Sequence, residues 1–149
     1  MTQFSEKKIL PYSCQQLFDL VADVESYPEF LPWVQSAQVS GHQNQDDHDS
    51  FIADVMVGYK FMTYPYKCRV RLYPPHRIYI EYLEGPFESL KNEWTFQPLS
   101  EKLTELSFFM QFQLKTGVLQ SLLQPLLDDV IRQMTSAFDK RAQTLYYTC

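Results

Sequence analysis

Long apolar runs are missing from this chain. None approaches the ~20 residues that a membrane-spanning helix needs, so any membrane association is expected to be peripheral. Glycine is scarce, at four in 149 residues, and no glycine-rich loop is available to cradle a phosphate. The three cysteines, Cys14, Cys68 and Cys149, share no metal-ligand spacing, and their odd number argues against a disulfide framework. They read as reduced thiols of a cytoplasmic protein. The N-terminal MTQFSEKKIL has neither the apolar core of a signal peptide nor the Arg/Ser-rich character of a transit peptide, and it reads as entering a strand directly. Nucleophile elbows of the G-x-S-x-G type and zinc-binding H-E-x-x-H helices are absent as well. His42 and His48 stand among Asp46, Asp47 and Asp49 in a polar segment without preorganised geometry, and Asp128 and Asp129 are adjacent on a helix and so point apart. The expectation is a protein that is not an enzyme, with no metal and no bound cofactor.

The formal net charge of −5 speaks against DNA or any extended polyphosphate, because such binding depends on neutralising phosphates. One local exception is the stripe Lys67, Arg69 and Arg71, with Lys60 nearby, which keeps a ribosomal partner open and equally suits anionic lipid headgroups. Hydrophobic residues at 45% and charged residues at 21% are ordinary for a globular protein. Aromatic residues are abundant, with two Trp, ten Tyr and eleven Phe. Such a load builds either a bulky core or a cavity walled by rings.

Residues 1–149 read as a single domain, without repeat or linker. Ser13 followed by Gln16 forms a capping box at a helix start, and Leu17, Leu20, Val21 and Val24 then line one helical face. A very short aromatic unit, Tyr27 to Leu31, closes on Pro32 and Trp33. Strand-like runs follow at 34–39, 51–59, 66–72, 77–83, 90–98 and 103–114, which with the N-terminal strand makes about seven. The polar segment 41–50 reads as a hairpin loop. Near the C-terminus Leu119, Leu122, Leu123, Leu126, Leu127, Val130, Met134 and Phe138 fall at steps of three and four, an amphipathic helix that Pro125 is expected to kink or break.

Alternation puts Leu90, Asn92, Trp94 and Phe96 on one face of their strand, and Leu106, Phe108, Met110, Phe112 and Leu114 on one face of the next. Plain packing under the long helix accounts for most of them. Asn92 is the exception, since an unpaired amide in an apolar row is costly. Its partner is backbone, water or a ligand.

The stretch LPYSCQQLFDLVADVESYPEFLPW, with Gly85-Pro86-Phe87 and Leu90-x-Asn92-x-Trp94-x-Phe96, resembles the START/polyketide cyclase superfamily, and in its wording the coenzyme Q-binding branch. The resemblance implies an α+β helix-grip fold: a curved antiparallel sheet of about seven strands, two short helices after strand 1, and a long C-terminal helix. It also implies an apolar cavity holding ubiquinone or a similar prenyl lipid as a ligand, without catalysis. The residues it marks for ligand contact are Phe30, Trp33, Phe87, Asn92, Trp94, Phe108, Met110, Phe112, Leu119, Leu122, Leu123 and Val130. Of these, Phe30, Trp33, Phe87, Leu119, Leu122 and Leu123 would form the mouth. Close bacterial relatives in the family are described as ribosome-association toxins, a second possible role. An aromatase/cyclase activity on the same grip would need acid–base groups in the cavity, where the sequence offers only Asn92 and possible tyrosines.

Overall fold

The structure, a computed structural model, describes residues 2–59 and 62–146; Lys60 and Cys149 lie outside this range. Strand β1 (Thr2–Leu10) leads through Pro11 and Tyr12 into helix α1 (Cys14–Ala22). The capping box is formed: Gln16 N donates to Ser13 Oγ at 3.1 Å, and Ser13 N donates to Gln16 Oε1 at 3.0 Å. Leu17, Phe18, Leu20 and Val21 of α1 are buried. A 3-10 helix, Val24–Glu29, follows at once, and the Tyr27 hydroxyl donates back to the Val21 carbonyl.

Six further strands complete one antiparallel sheet: β2 (Val34–Asn44), β3 (Asp49–Tyr59), β4 (Met62–Tyr73), β5 (Arg77–Glu84), β6 (Phe87–Ser100) and β7 (Leu103–Leu114). Its order is β1-β7-β6-β5-β4-β3-β2, so each strand from β2 to β7 pairs with its sequence neighbour and β1 closes onto the last. The strand faces follow the alternation of the sequence. Leu106, Phe108, Met110, Phe112 and Leu114 are all buried on one side of β7. Thr95, Ser107 and Lys7 share a row on the other side.

Segment 41–50 departs from the expected loop. Paired strand runs to Asn44 and resumes at Asp49, and Gln45 N donates to the His48 carbonyl at 2.8 Å to close a short turn. Polar residues can occupy this ladder because it projects as an edge hairpin wetted on its faces. His48 also stacks on Tyr73 at 5.0 Å, tying the tip to β4. Gly85, at φ 151°, turns β5 into β6. A side chain there would also approach the Pro65 carbonyl to 3.3 Å.

Helix α2 (Gly117–Tyr146) lies along the concave face. Thr116 caps it, its hydroxyl accepting from Leu119 N at 3.1 Å. Leu123, Leu126, Leu127, Val130, Ile131, Phe138 and Ala142 are buried, each large apolar side chain contributing roughly 1.5–3 kcal/mol. That is ample to carry Pro125, whose cost in a helix interior is ~3 kcal/mol. The helix therefore runs through Pro125 unbroken, against the expected break. Pro125 is exposed, so the carbonyl it leaves without an amide donor faces water. Replacing Pro125 with Ala should accordingly stabilise the fold by about 1–3 kcal/mol. Chemical denaturation would check this, and an unchanged or lower midpoint would contradict it.

Candidate functional site

Between the sheet and α2 lies a cavity of about 160 Å³. Its floor comes from alternate residues of four neighbouring strands: Val55 of β3, Tyr66 and Cys68 of β4, Ile80 of β5, and Asn92 and Trp94 of β6. Met110 of β7 continues the floor, and Leu127, Val130, Met134 and Phe138 of α2 form the roof. Tyr27, Leu31 and Trp33 close one side. The walls are anchored by rings. Trp94 packs against Phe108 at 4.8 Å and Phe138 at 5.0 Å, and Phe138 meets Phe30 at 5.1 Å and Tyr27 at 5.4 Å.

The lining carries no acidic, basic or histidine side chain among the described residues. Burial pushes the phenols of Tyr27 and Tyr66 above their ordinary values. It also pushes the Cys68 thiol up to about 12, against the opposing effect of its hydrogen bond with Tyr66. All three are neutral at physiological pH, and Cys68 is not a thiolate nucleophile. The Tyr27 hydroxyl is committed to the Val21 carbonyl. Asn92 is not committed. Its Oδ1 is enclosed and has no hydrogen-bond partner among the described residues, with Ile80 and Met110 as its cross-strand neighbours.

Of the residues marked from the sequence, Trp33, Phe87, Asn92, Trp94, Met110 and Val130 line this cavity. Phe108 sits behind Trp94, between it and Phe4. Phe112 backs Phe87 at 5.7 Å. Leu123 is buried in the packing of α2 outside the lining, Leu119 is partly buried, and Leu122 is 43% exposed. The start of α2 therefore contributes no lining residue, whereas its middle does. Phe30 faces a separate outer groove. Tyr66, Leu127, Met134 and Phe138 were not marked. Their positions in the β4 alternation and the α2 stripe carried the signal.

The basic stripe lies on the opposite face of the sheet and is internally paired. Lys67 Nζ is 3.7 Å from Asp54, Arg69 is 3.6 Å and Arg71 2.6 Å from the same Glu81 oxygen. Two guanidinium groups thus share one carboxylate, and Arg71 Nε has no partner.

Residues 10–139 match the family described as polyketide cyclase/dehydrase and lipid transport. The ribosome association toxin RatA of Rickettsia prowazekii is 37% identical over 147 residues, covering 96% of this chain and 97% of that protein. The mitochondrial coenzyme Q-binding protein COQ10 homolog B of Xenopus laevis is 30% identical over 148 residues, 97% of this chain and 59% of that one. A solved START superfamily protein from Mycobacterium smegmatis superimposes with a TM-score of 0.77 at 18% identity, over 96% of this chain and 98% of that one. The shared fold is the helix grip.

An unsatisfied buried carbonyl costs about 1–3 kcal/mol. Asn92→Leu should therefore raise stability by an amount of that order in the ligand-free protein, measured by denaturant unfolding. A clear loss of stability would mean that the amide is satisfied internally.

Proposed function

The chain belongs to the polyketide cyclase/dehydrase and lipid transport family, and from that premise we propose that it is a non-enzymatic carrier of a prenyl quinone, with ubiquinone as the ligand. The observation that carries this reading is the Asn92 carboxamide, whose Oδ1 is without a partner among the described residues, in a mostly apolar, uncharged cavity. Ligand sites of this kind are mostly apolar, with a few polar groups that orient the bound molecule. A carboxamide can donate to a quinone carbonyl or accept from a quinol hydroxyl, depending on which way it is turned. Among the described residues the only ionisable lining groups are the phenols of Tyr27 and Tyr66 and the Cys68 thiol, all held neutral by burial, which supports binding over acid–base catalysis.

Volume divides the ligand. An apolar cavity of ~150 Å³ accommodates one benzene-sized ring, so the space of about 160 Å³ suits a quinone head. A prenyl tail needs more room, and Met134 and Leu127 of the roof are the side chains that must turn aside for it. Methionine is suited to that, being unbranched and flexible. Protein purified from a quinone-producing bacterium should carry ubiquinone in substoichiometric amount, detected by mass spectrometry of a solvent extract, and Asn92→Leu should carry less. Repeated extraction of folded wild-type protein without any prenyl lipid would defeat the proposal.

A second reading is favoured by the relatives named for ribosome association: this chain would bind the large ribosomal subunit. The excess cation at Glu81 is the feature that suits a phosphate, although Asp54 and Glu81 compete for the same side chains. Replacing Lys67, Arg69 and Arg71 with Gln should weaken ribosome co-sedimentation strongly and flatten its salt dependence. Wild-type protein that stays in the supernatant at low salt would remove this reading.

A further inference from the structure

Trp33 has two sides. One faces the cavity; the other faces an open groove of about 430 Å³ between the segment 30–33 and the last turns of α2. A single indole thus separates an uncharged chamber from a charged one. Lys140 and Arg141 line the groove, and among the described residues no carboxylate does. Glu29 reaches Arg141 from the rim at 3.1 Å, through a side chain that is 61% exposed. Asp139 lines a neighbouring groove beside Tyr12 instead.

The guanidinium of Arg141 is held in place, lying over the Phe30 ring at 5.1 Å. Its Nε is enclosed and unpartnered. Lys140 is exposed and enters no ion pair among the described residues. Ser136 and Gln133 add neutral donors to the same wall. A preoriented guanidinium beside a free ammonium is the chemistry that recognises a phosphate oxyanion.

We infer that this groove seats the phosphate of an anionic membrane phospholipid, docking the protein on a bilayer with Trp33 turned toward it. The inference rests on the carrier reading, since a carrier of a membrane lipid must load at a bilayer. Two features favour a lipid over a free ion. Phe30, Pro32 and Ala137 make part of the groove apolar, matching the boundary between headgroup and acyl chain. Trp33, only 8% exposed, backs that apolar part from behind and is of a residue type that suits the boundary. Docked there, the partition between bilayer and cavity is one side chain thick.

Co-sedimentation with phosphatidylcholine vesicles, with and without phosphatidylglycerol, tests this. Binding should require phosphatidylglycerol and fall by roughly tenfold or more in Lys140→Gln/Arg141→Gln, since each basic residue at an anionic surface contributes about fivefold. Lys140→Gln alone, at an exposed position, should cost about fivefold and guards against a folding defect in the double variant. Lys7→Gln/Lys91→Gln makes the same charge change on the outer sheet face and should bind like the wild type. An equal loss there would reduce the effect to net charge and overturn the inference. Inorganic phosphate is the other arm. Wild-type protein that binds phosphate, loses it in the double variant and ignores the vesicles has a free-ion site, which also overturns docking. A water-soluble short-chain quinone, followed by tryptophan fluorescence, separates the two readings. Its binding should survive in Lys140→Gln/Arg141→Gln. Vesicle binding with no quinone binding in the wild type would overturn the carrier reading and leave the groove standing.

Discussion

Everything in this molecule depends on how α2 is held against the concave sheet, and that hold is centred on Phe138. Its ring touches Trp94 of the sheet on one side and Tyr27 and Phe30 of the first connection on the other. Trp94 passes the contact to Phe108, and Phe108 to Phe4 on the edge strand. One continuous row of rings therefore joins helix, connection, mid-sheet and sheet edge. Each edge-to-face pair adds ~0.5–1.5 kcal/mol beyond the area it buries. Thr135 and Glu6 fasten the same part of α2 to β1 by a hydrogen bond. Flat rings meeting at steep angles also fill space unevenly. The cavity opens beside that row, over β3, β4 and β5, where Val, Ala and Cys replace most of the large rings and Tyr66 remains.

The same substitution of small for large side chains explains why the cavity has so little chemistry. The Tyr27 hydroxyl is spent on the Val21 carbonyl, and burial keeps Tyr27, Tyr66 and Cys68 neutral. The cations of β4 project from the opposite face of the same strand. A strand alternating Tyr66-Lys67-Cys68-Arg69-Val70-Arg71 thus separates charge from ligand space by one sheet thickness.

Much of this was legible in the chain because the relevant signals are local. Ser13 and Gln16 are three residues apart and cap one turn. The period-two faces of β6 and β7 needed only the alternation of Leu90–Phe96 and Leu106–Leu114, and seven strands with a final helix followed from counting such runs. What could not be read depends on register or burial. The pairing of Arg69 and Arg71 with Glu81 arises only when β4 and β5 align Arg69 with Glu81 and Arg71 with Tyr79. The helix survives Pro125 because of apolar area buried against strands far away in sequence. Polar 41–44 and 49–50 are strand around a short turn because ladder bonds and the His48–Tyr73 stack outweigh composition. Which part of α2 roofs the cavity was misplaced toward Leu119 and Leu122, since a stripe says which face is buried and not what lies beneath each turn.

Pro125 also divides α2 into two mechanically unequal lengths. Downstream, Thr135 and Phe138 rivet the helix to β1, the sheet and the first connection. Upstream, Gly117 to Gln124 is held chiefly by Leu123, and the backbone lacks the one rung that would couple it to the anchored length. Helices bend most readily where such a rung is missing. The turns upstream are therefore the freer part of α2, whereas every helix residue that lines the cavity, from Leu127 onward, belongs to the anchored length. A guest larger than the resting space would press on the clasp and not on the loose end.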